Sequence, residues 1–404
     1  MTNNMKMRST VLHAIGGGWG DETSSVSTSR VAVIRGADFP AVAVGDTRDL
    51  PRRWEKDSKL PQRLLLAEDI VLEISGGTSD RPTGRSVFIS QRLLDEIGIP
   101  AIPASFCKLV RIDRSVADPY FVYWCLQNMF NEGRAWNYQN RSTGIANFQF
   151  EYFLDQEEIP GFPLEEQRAI ASTLGALDDK IESNHRAAKK LNQLADAIAD
   201  KMLASEPTRS VPLSALAHFN TRSLRKGQFD KIEYVDIKQT AHGFVKGTTI
   251  FDLPDAPSRA RRLVQDGDVI YSTVRPSRHV FAPLYNPPKN LVVSTGFAVA
   301  SPTALTGSSF LTYVFSDSTF AKYLASAAGG SAYPAVDVDV IEGYEAEIPQ
   351  NVSALREYEE STITMRRYAH EFREENRRLS SLRDTLLPEL MSGRIRVRIT
   401  EVSG

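Results

Sequence analysis

At 404 residues the chain is long for one ordinary domain, and length argues for about two or three. With 42% hydrophobic and 24% charged residues, and no apolar run near the roughly 20 residues that span a bilayer, it reads as a soluble globular protein; the opening "MTNNMKMRSTVLHAIGGGWG" has no apolar core for a secretory signal. A formal net charge of −2 excludes a protein that coats nucleic acid by global positive field, while leaving local binding open.

In chain order, "IGGGWGDET" (15–23) comes first. It is glycine-rich but lacks the Lys-Ser/Thr pair of a phosphate loop, so it reads as a tight turn. Apolar segments starting at Val31, Leu66 and Ser105 predict strands, and "DPYFVYWCLQNMF" predicts a helix. Between the first two lies "DTRDLPRRWEKDSKLPQR", with Arg48, Arg52, Arg53 and Lys56 around Trp54, expected in a loop beside a strand and diluted by Asp46, Asp49, Glu55 and Asp57. The Gly-containing loop "STGIANF" follows, then a strand in "EYFLDQEEIP". Cys107 and Cys125 allow at most one disulfide and no metal set, which points to buried, reduced thiols in a cytoplasmic protein.

A long helix is predicted over 163–206. Pro163 suits its first position, and Glu165 and Glu166 complement the positive end of its dipole. Ile170, Leu177, Asn184, Leu191 and Ile198 hold one heptad position; Leu174, Ile181, Ala188, Ala195 and Met202 hold the other. Asn184, polar in an apolar seam, is the type of residue that fixes register at some cost in stability.

The second half repeats the order. Segments starting at Ile232, Val264 and Ser294 predict strands, "SSFLTYVFSDSTFAKYLASAA" a helix, "GGSAYPAV" a loop and "VIEGYEAEIP" a strand. Basic residues cluster at Arg222 and Arg225, at Arg259 and Arg261, and at Arg275 and Arg278 with His279, again in predicted loops. A closing helix and tail over 351–404 carry Tyr358, Met365, Phe372, Leu379 and Leu386 at one seam position, and Thr362, Ala369, Asn376 and Leu390 at the other, where Arg383 interrupts. Pro388 is expected to bend or fray its last turns and Gly393 to stop it. The pairs Ile159-Pro160 and Ile348-Pro349 mark the same place in each half, so the chain reads as a duplicated α/β lobe. Each lobe is followed by one arm of an antiparallel coiled coil, because neither seam can stay exposed.

Enzyme signals fail. "NPPK" (286–289) has Lys289 where an adenine methyltransferase motif carries an aromatic, and no glycine-rich strand-to-helix turn precedes it. The six histidines never reach metal-ligand spacing, and the paired acids Asp178-Asp179 and Glu359-Glu360 are expected on solvated helix faces. What remains is loop-borne arginine and lysine, suited to guanine edges and phosphates, against the ordinary reading of a solvated loop.

Three features resemble the specificity subunit of Type I restriction-modification systems. "IPGFPLEEQRAIASTLGALDDKIESNHR" looks like that family's central conserved region, and "LSSLRDTLLPELMSGRIRV" like the end of its second. "GDVIYSTVRP" and "GGSAYPAV" recur in familiar form in the doubled body. The resemblance spans nearly the whole chain. It implies an α/β (α+β) fold with two pseudo-repeated target-recognition domains, 1–162 and 207–350, joined by the helices 163–206 and 351–404. It further implies a non-catalytic subunit in which each domain reads half of a bipartite, gapped site on double-stranded DNA and the helices set the spacing. Two methyltransferase subunits and motor-nuclease restriction subunits are the implied partners, with no membrane. Adenosylmethionine, ATP and Mg would belong to them and no cofactor to this chain. The long helices and the loops 142–148 and 330–336 would dock the methyltransferases. The closing helix lacks the "EEQ" opening, which departs from the pattern. Polar Asn140, Arg141 or Gln149 are alternative readers in the first lobe. The same features also suit a motor-less methyltransferase system, or a coiled-coil imitator that blocks such a complex.

Overall fold

The computed structural model describes residues 4–141, 146–329 and 334–397. Its contacts divide into two compact units, Met1–His185 with Glu375–Gly404, and Arg186–Glu374. Each holds one lobe and a segment of both long helices.

In the first lobe a four-stranded antiparallel sheet runs in the order Val11–Gly16, Cys107–Ile112, Ile70–Glu73, Ser86–Phe88. Beside it stands a sheet ordered Arg52–Lys56, Thr28–Ile34, Ala101–Pro103, in which the last pair is parallel. The second lobe repeats this. Its antiparallel sheet runs Ala217–Phe219, Phe297–Pro302, Val269–Ser272, Phe281–Pro283. Its partner runs Thr249–Asp252, Lys231–Val235, Leu291–Ser294, again with a parallel pair, and Ala260–Leu263 is added at the edge. A two-stranded closure, Met5–Lys6 with Glu158–Ile159 and Thr208–Pro212 with Glu345–Pro349, completes each copy at the Ile-Pro pair. The duplication is therefore one of pairing, including the parallel exception.

Why the central strands carry no polar alternation follows from their two buried faces. Ile70 and Leu72 enter the core shared with the helix Pro119–Asn131, while Val71 enters the core between the sheets. Val269 and Tyr271 divide from Ile270 in the same way. A strand covered on both sides reads as a continuous apolar run. The acid before each of these strands is a turn device. Asp69 accepts from the Leu66 N–H at 2.7 Å and pairs with Arg111 at 2.7 Å; Asp268 accepts from Gln265 N–H at 2.8 Å and pairs with Arg222 at 2.5 Å.

Four expectations need correction. "EYFLDQ" forms a helix, Phe150–Gln156, before its two-residue strand, as Val338–Glu342 does before the second Ile-Pro pair. Burial of Phe150, Phe153 and Leu154 on one side sets that helical period. The helix predicted from Ser308 is two, Ser308–Ser316 and Ser318–Ala327, parted at Asp317, whose carboxylate accepts from Thr319 N–H and starts the second. Arg52, Arg53 and Lys56 lie in a strand, and so does Arg261, because each segment pairs along a sheet edge. Pro163 precedes the central helix, Leu164–Ser205, and accepts its first bond from Gln167 N–H.

Within the first unit the two long helices are antiparallel: Asp178 meets Arg383 at 2.6 Å, and Asn184 donates to Glu375 at 2.7 Å and Asn376 at 3.0 Å. Asn376 returns a bond to the Ile181 carbonyl at 2.9 Å. Arg383 is thus a paired member of the interface, with its guanidinium also 5.9 Å from the Trp124 ring. In the second unit Arg366 donates to Asn192 at 3.1 Å and Asp196 at 2.5 Å, with a side chain 3% exposed. Ile170, Leu174, Ile181 and Asn184 are buried, whereas Leu177, Leu191, Ile198, Met365, Phe372, Leu379 and Leu386 are half-buried. Small residues also lie deep along the pair: Ala188, Ala195, Ala199, Thr362 and Ala369 are all buried. Small side chains at the closest approach leave the large ones to cover the flanks. The closing helix, Val352–Met391, continues through Pro388; Gly393, at φ 69°, stops it.

Both helices also cap the lobes. Gln167 accepts from the Asp118 N–H at 2.9 Å at the start of the Pro119–Asn131 helix. Glu359 accepts from the Ser309 N–H at 3.0 Å at the start of Ser308–Ser316. The closing helix lacks "EEQ", yet Glu359 supplies the equivalent bond.

Candidate nucleic-acid interface

The second lobe gathers its three basic clusters at one end through backbone bonds. Ser223 bridges Arg262, and Leu224 N–H donates to the Arg261 carbonyl at 2.8 Å, so the 222–226 segment lies along the strand Ala260–Leu263. Thr295 N–H donates to the Arg259 carbonyl at 2.9 Å, and Thr273 N–H to the adjacent Gly296 carbonyl at 2.9 Å. That places the turn bearing Arg275 beside the turn bearing Arg259. Arg225, Arg259, Arg261 and Arg278 are exposed, and Arg261 donates to the Ser258 carbonyl at 3.0 Å. Arg262 is half-buried; its Nη1 has no hydrogen-bond partner among the described residues, and burial pulls its pKa down. Arg275 takes a left-handed backbone, φ 50°, and its N–H donates to Pro334 at 2.7 Å. Arg222 differs: it is committed to Asp268, which is fully buried and whose carboxyl burial pushes upward.

Charge in the first lobe is largely neutralised. Arg48 pairs with Asp46 at 2.6 Å, a bond that raises its pKa. Arg53 lies 3.5 Å from Glu22 and 4.9 Å from the centre of the Trp19 ring. Arg52 is half-buried and donates to the Ile97 carbonyl at 3.5 Å. Lys56 is exposed and makes no ion pair among the described residues. Asn140 and Gln149 are exposed, and Asn147, opposite Asn140 in its ladder, accepts a bond from Ser75 at 2.5 Å. The side chain of Arg141 and most of the two Gly/Ser loops, 142–145 and 330–333, lie outside the described residues. The remainder of those loops meets its own lobe, Asn147 bridging Ser75 and Ala335 bridging Val274.

Sequence reasoning missed Arg373. It donates to the Gly243 carbonyl at 3.1 Å and sits 5.1 Å from the Phe244 ring; burial lowers its pKa to about 10. A cation placed by tertiary packing leaves no local pattern. Both cysteines are free and buried, and burial pushes the Cys107 thiol up to about 12. Among the described residues no group of His, Cys, Asp or Glu could hold a metal ion, and no helix is long and apolar enough to cross a membrane.

No protein-family model matches the sequence, and neither does any curated protein. Solved structures do. A Type I restriction-modification system S subunit from M. genitalium superposes with a TM-score of 0.60 at 15% identity, over 97% of this chain and 96% of that one. This chain has that S subunit's fold. An HsdS subunit from Thermoanaerobacter tengcongensis matches at TM-score 0.35 and 14% identity, over 97% of each chain. A structure described for complex assembly and conformational transition of the type I R-M system matches at 0.37 and 15%, over 97% and 98%.

Proposed function

We propose that this chain is the DNA sequence-specificity subunit of a Type I restriction-modification complex, non-catalytic and cytoplasmic. Each lobe, 1–162 and 207–350, reads half of a bipartite, gapped site, and the helix pair sets the gap. The observation that carries the reading is the basic end of the second lobe, where clusters far apart in sequence become neighbours on a duplicated S-subunit fold. Arg225, Arg259 and Arg261 would hold phosphates, and Arg275 would reach a base edge. Arg262, partly desolvated and with a buried Nη1 that has no acceptor among the described residues, adds positive potential to this end of the lobe. Arg222 positions the 222–226 segment through Asp268 and is withdrawn as a direct reader.

Methyltransferase and motor-nuclease subunits would dock on the outer faces of the helices, bringing adenosylmethionine, ATP and Mg. The experiment is a methylome of the source cell with and without this chain. Loss of adenine methylation at one gapped motif supports the reading; an unchanged methylome in a cell with an active methyltransferase overturns it.

A further inference from the structure

The glycine-rich stretch 15–23 does more than turn. An added Cβ at Gly17 would lie 2.2 Å from the Pro103 carbonyl oxygen, and one at Gly18 would lie 2.5 Å from a Glu55 carboxylate oxygen. Gly20 has φ +67°, and its Cβ would lie 2.7 Å from the Trp54 carbonyl oxygen. Gly17 and Gly18 N–H donate to Cys107 and Pro103, each at 2.9 Å, and Asp21 bridges Trp54. The loop is pinned on both sides of Trp19, and Trp19 is nevertheless 40% exposed. An indole left in water on a flexible tip needs no explanation; one held there by three crowded glycines does.

Arg53 completes the arrangement. Its guanidinium carbon is 4.9 Å from the ring centre, its Nε is buried with no acceptor among the described residues, and Glu22 lies 3.5 Å away. A cation held over one face of the ring fixes the indole in place. The loop follows the strand Val11–Gly16, whose counterpart in the second lobe, Ala217–Phe219, leads into the 222–226 basic segment. Equivalent loops therefore carry open cations in one lobe and an aromatic in the other, where cations are mostly paired.

We propose that Trp19, backed by Arg53, is a stacking platform for a nucleobase in the first lobe's half-site. The proposal rests on the specificity reading above and adds to it that the two half-sites are read by different physics. A duplex offers a base face only at an opened or kinked step, so the half-site read by Trp19 must unstack locally. Stacking of one base changes affinity roughly 5- to 150-fold.

The test uses the full chain and a pool of duplexes with a randomised centre. Wild type, Trp19→Ala and Trp19→Phe are compared for the enriched motif, affinity and melting temperature. A probe with 2-aminopurine at each position of the enriched half-sites then reports unstacking. The expected result is that W19A loses preference in one half only, loses the 2-aminopurine signal there and melts normally, while W19F keeps most of both. W19A with both halves intact, or W19A and W19F both melting early and losing both halves alike, overturns the platform. Wild type that enriches no motif overturns the specificity reading itself, and the platform with it.

Discussion

Arg222 and Arg225 lie three positions apart in opposite surroundings, the one paired with a buried carboxylate and the other exposed. Arg222 neutralises Asp268 at the floor of its lobe, so Arg222→Ala should cost about 3 kcal/mol by leaving a buried carboxylate unpaired, visible as an earlier melt before any DNA is added. Arg225→Ala should melt normally and lower duplex affinity evenly across sequences, with the salt slope reduced by about 1. Arg275→Ala should instead relax specificity in one half-site, by about 1–3 kcal/mol at a bidentate base contact; an even loss across sequences would mark it as a phosphate ligand. Glu359 gives a pH prediction. Burial raises its carboxyl, partly offset by the Ser309 and Phe310 N–H groups. A raised acid favours the fold fully below its unfolded value, near 4.3, and that favour is lost as pH rises through the folded value. Glu359→Gln, which copies Gln167 of the other lobe, should therefore raise the melting temperature at pH 8 more than at pH 5.

Elements start and stop where side chains reach back to them. At Gly307 an added Cβ would lie 1.9 Å from the Glu359 carboxyl carbon, so Gly307→Ala must displace the cap of the Ser308–Ser316 helix. It should destabilise by about 1–2 kcal/mol and raise hydrogen exchange at that helix start. The duplicated strands and long helices were legible in the sequence because the strands are short apolar runs bounded by turn residues and the helices repeat a seven-residue period. The helix at Phe150–Gln156 was not, since seven residues carry barely two turns of pattern. Which seam residues lie deepest was also hidden. Ala188 and Ala369 take seam positions with no mark of depth, and both prove to be buried while Leu177, Leu191 and Phe372 are only half-buried.

For the whole molecule the proposal to test is that the helix pair sets the spacing between two half-site readers. The helices have 42 and 40 residues, roughly 60 Å each at 1.5 Å per residue. One heptad inserted in each at matched positions adds about 10 Å, equivalent to about 3 base pairs. The methylated motif should gain a longer gap with both halves unchanged; an unaltered gap would refute the ruler. The sequence by itself determined the duplication, the two long helices and the order of the main elements along the chain, because apolar patterning and turn residues act over neighbouring positions. Tertiary structure alone decided which cations are free. Whether Arg222 faces Asp268, or Arg53 faces Trp19, depends on pairing across dozens of residues, and a charge's role is set by the partner the fold brings within reach.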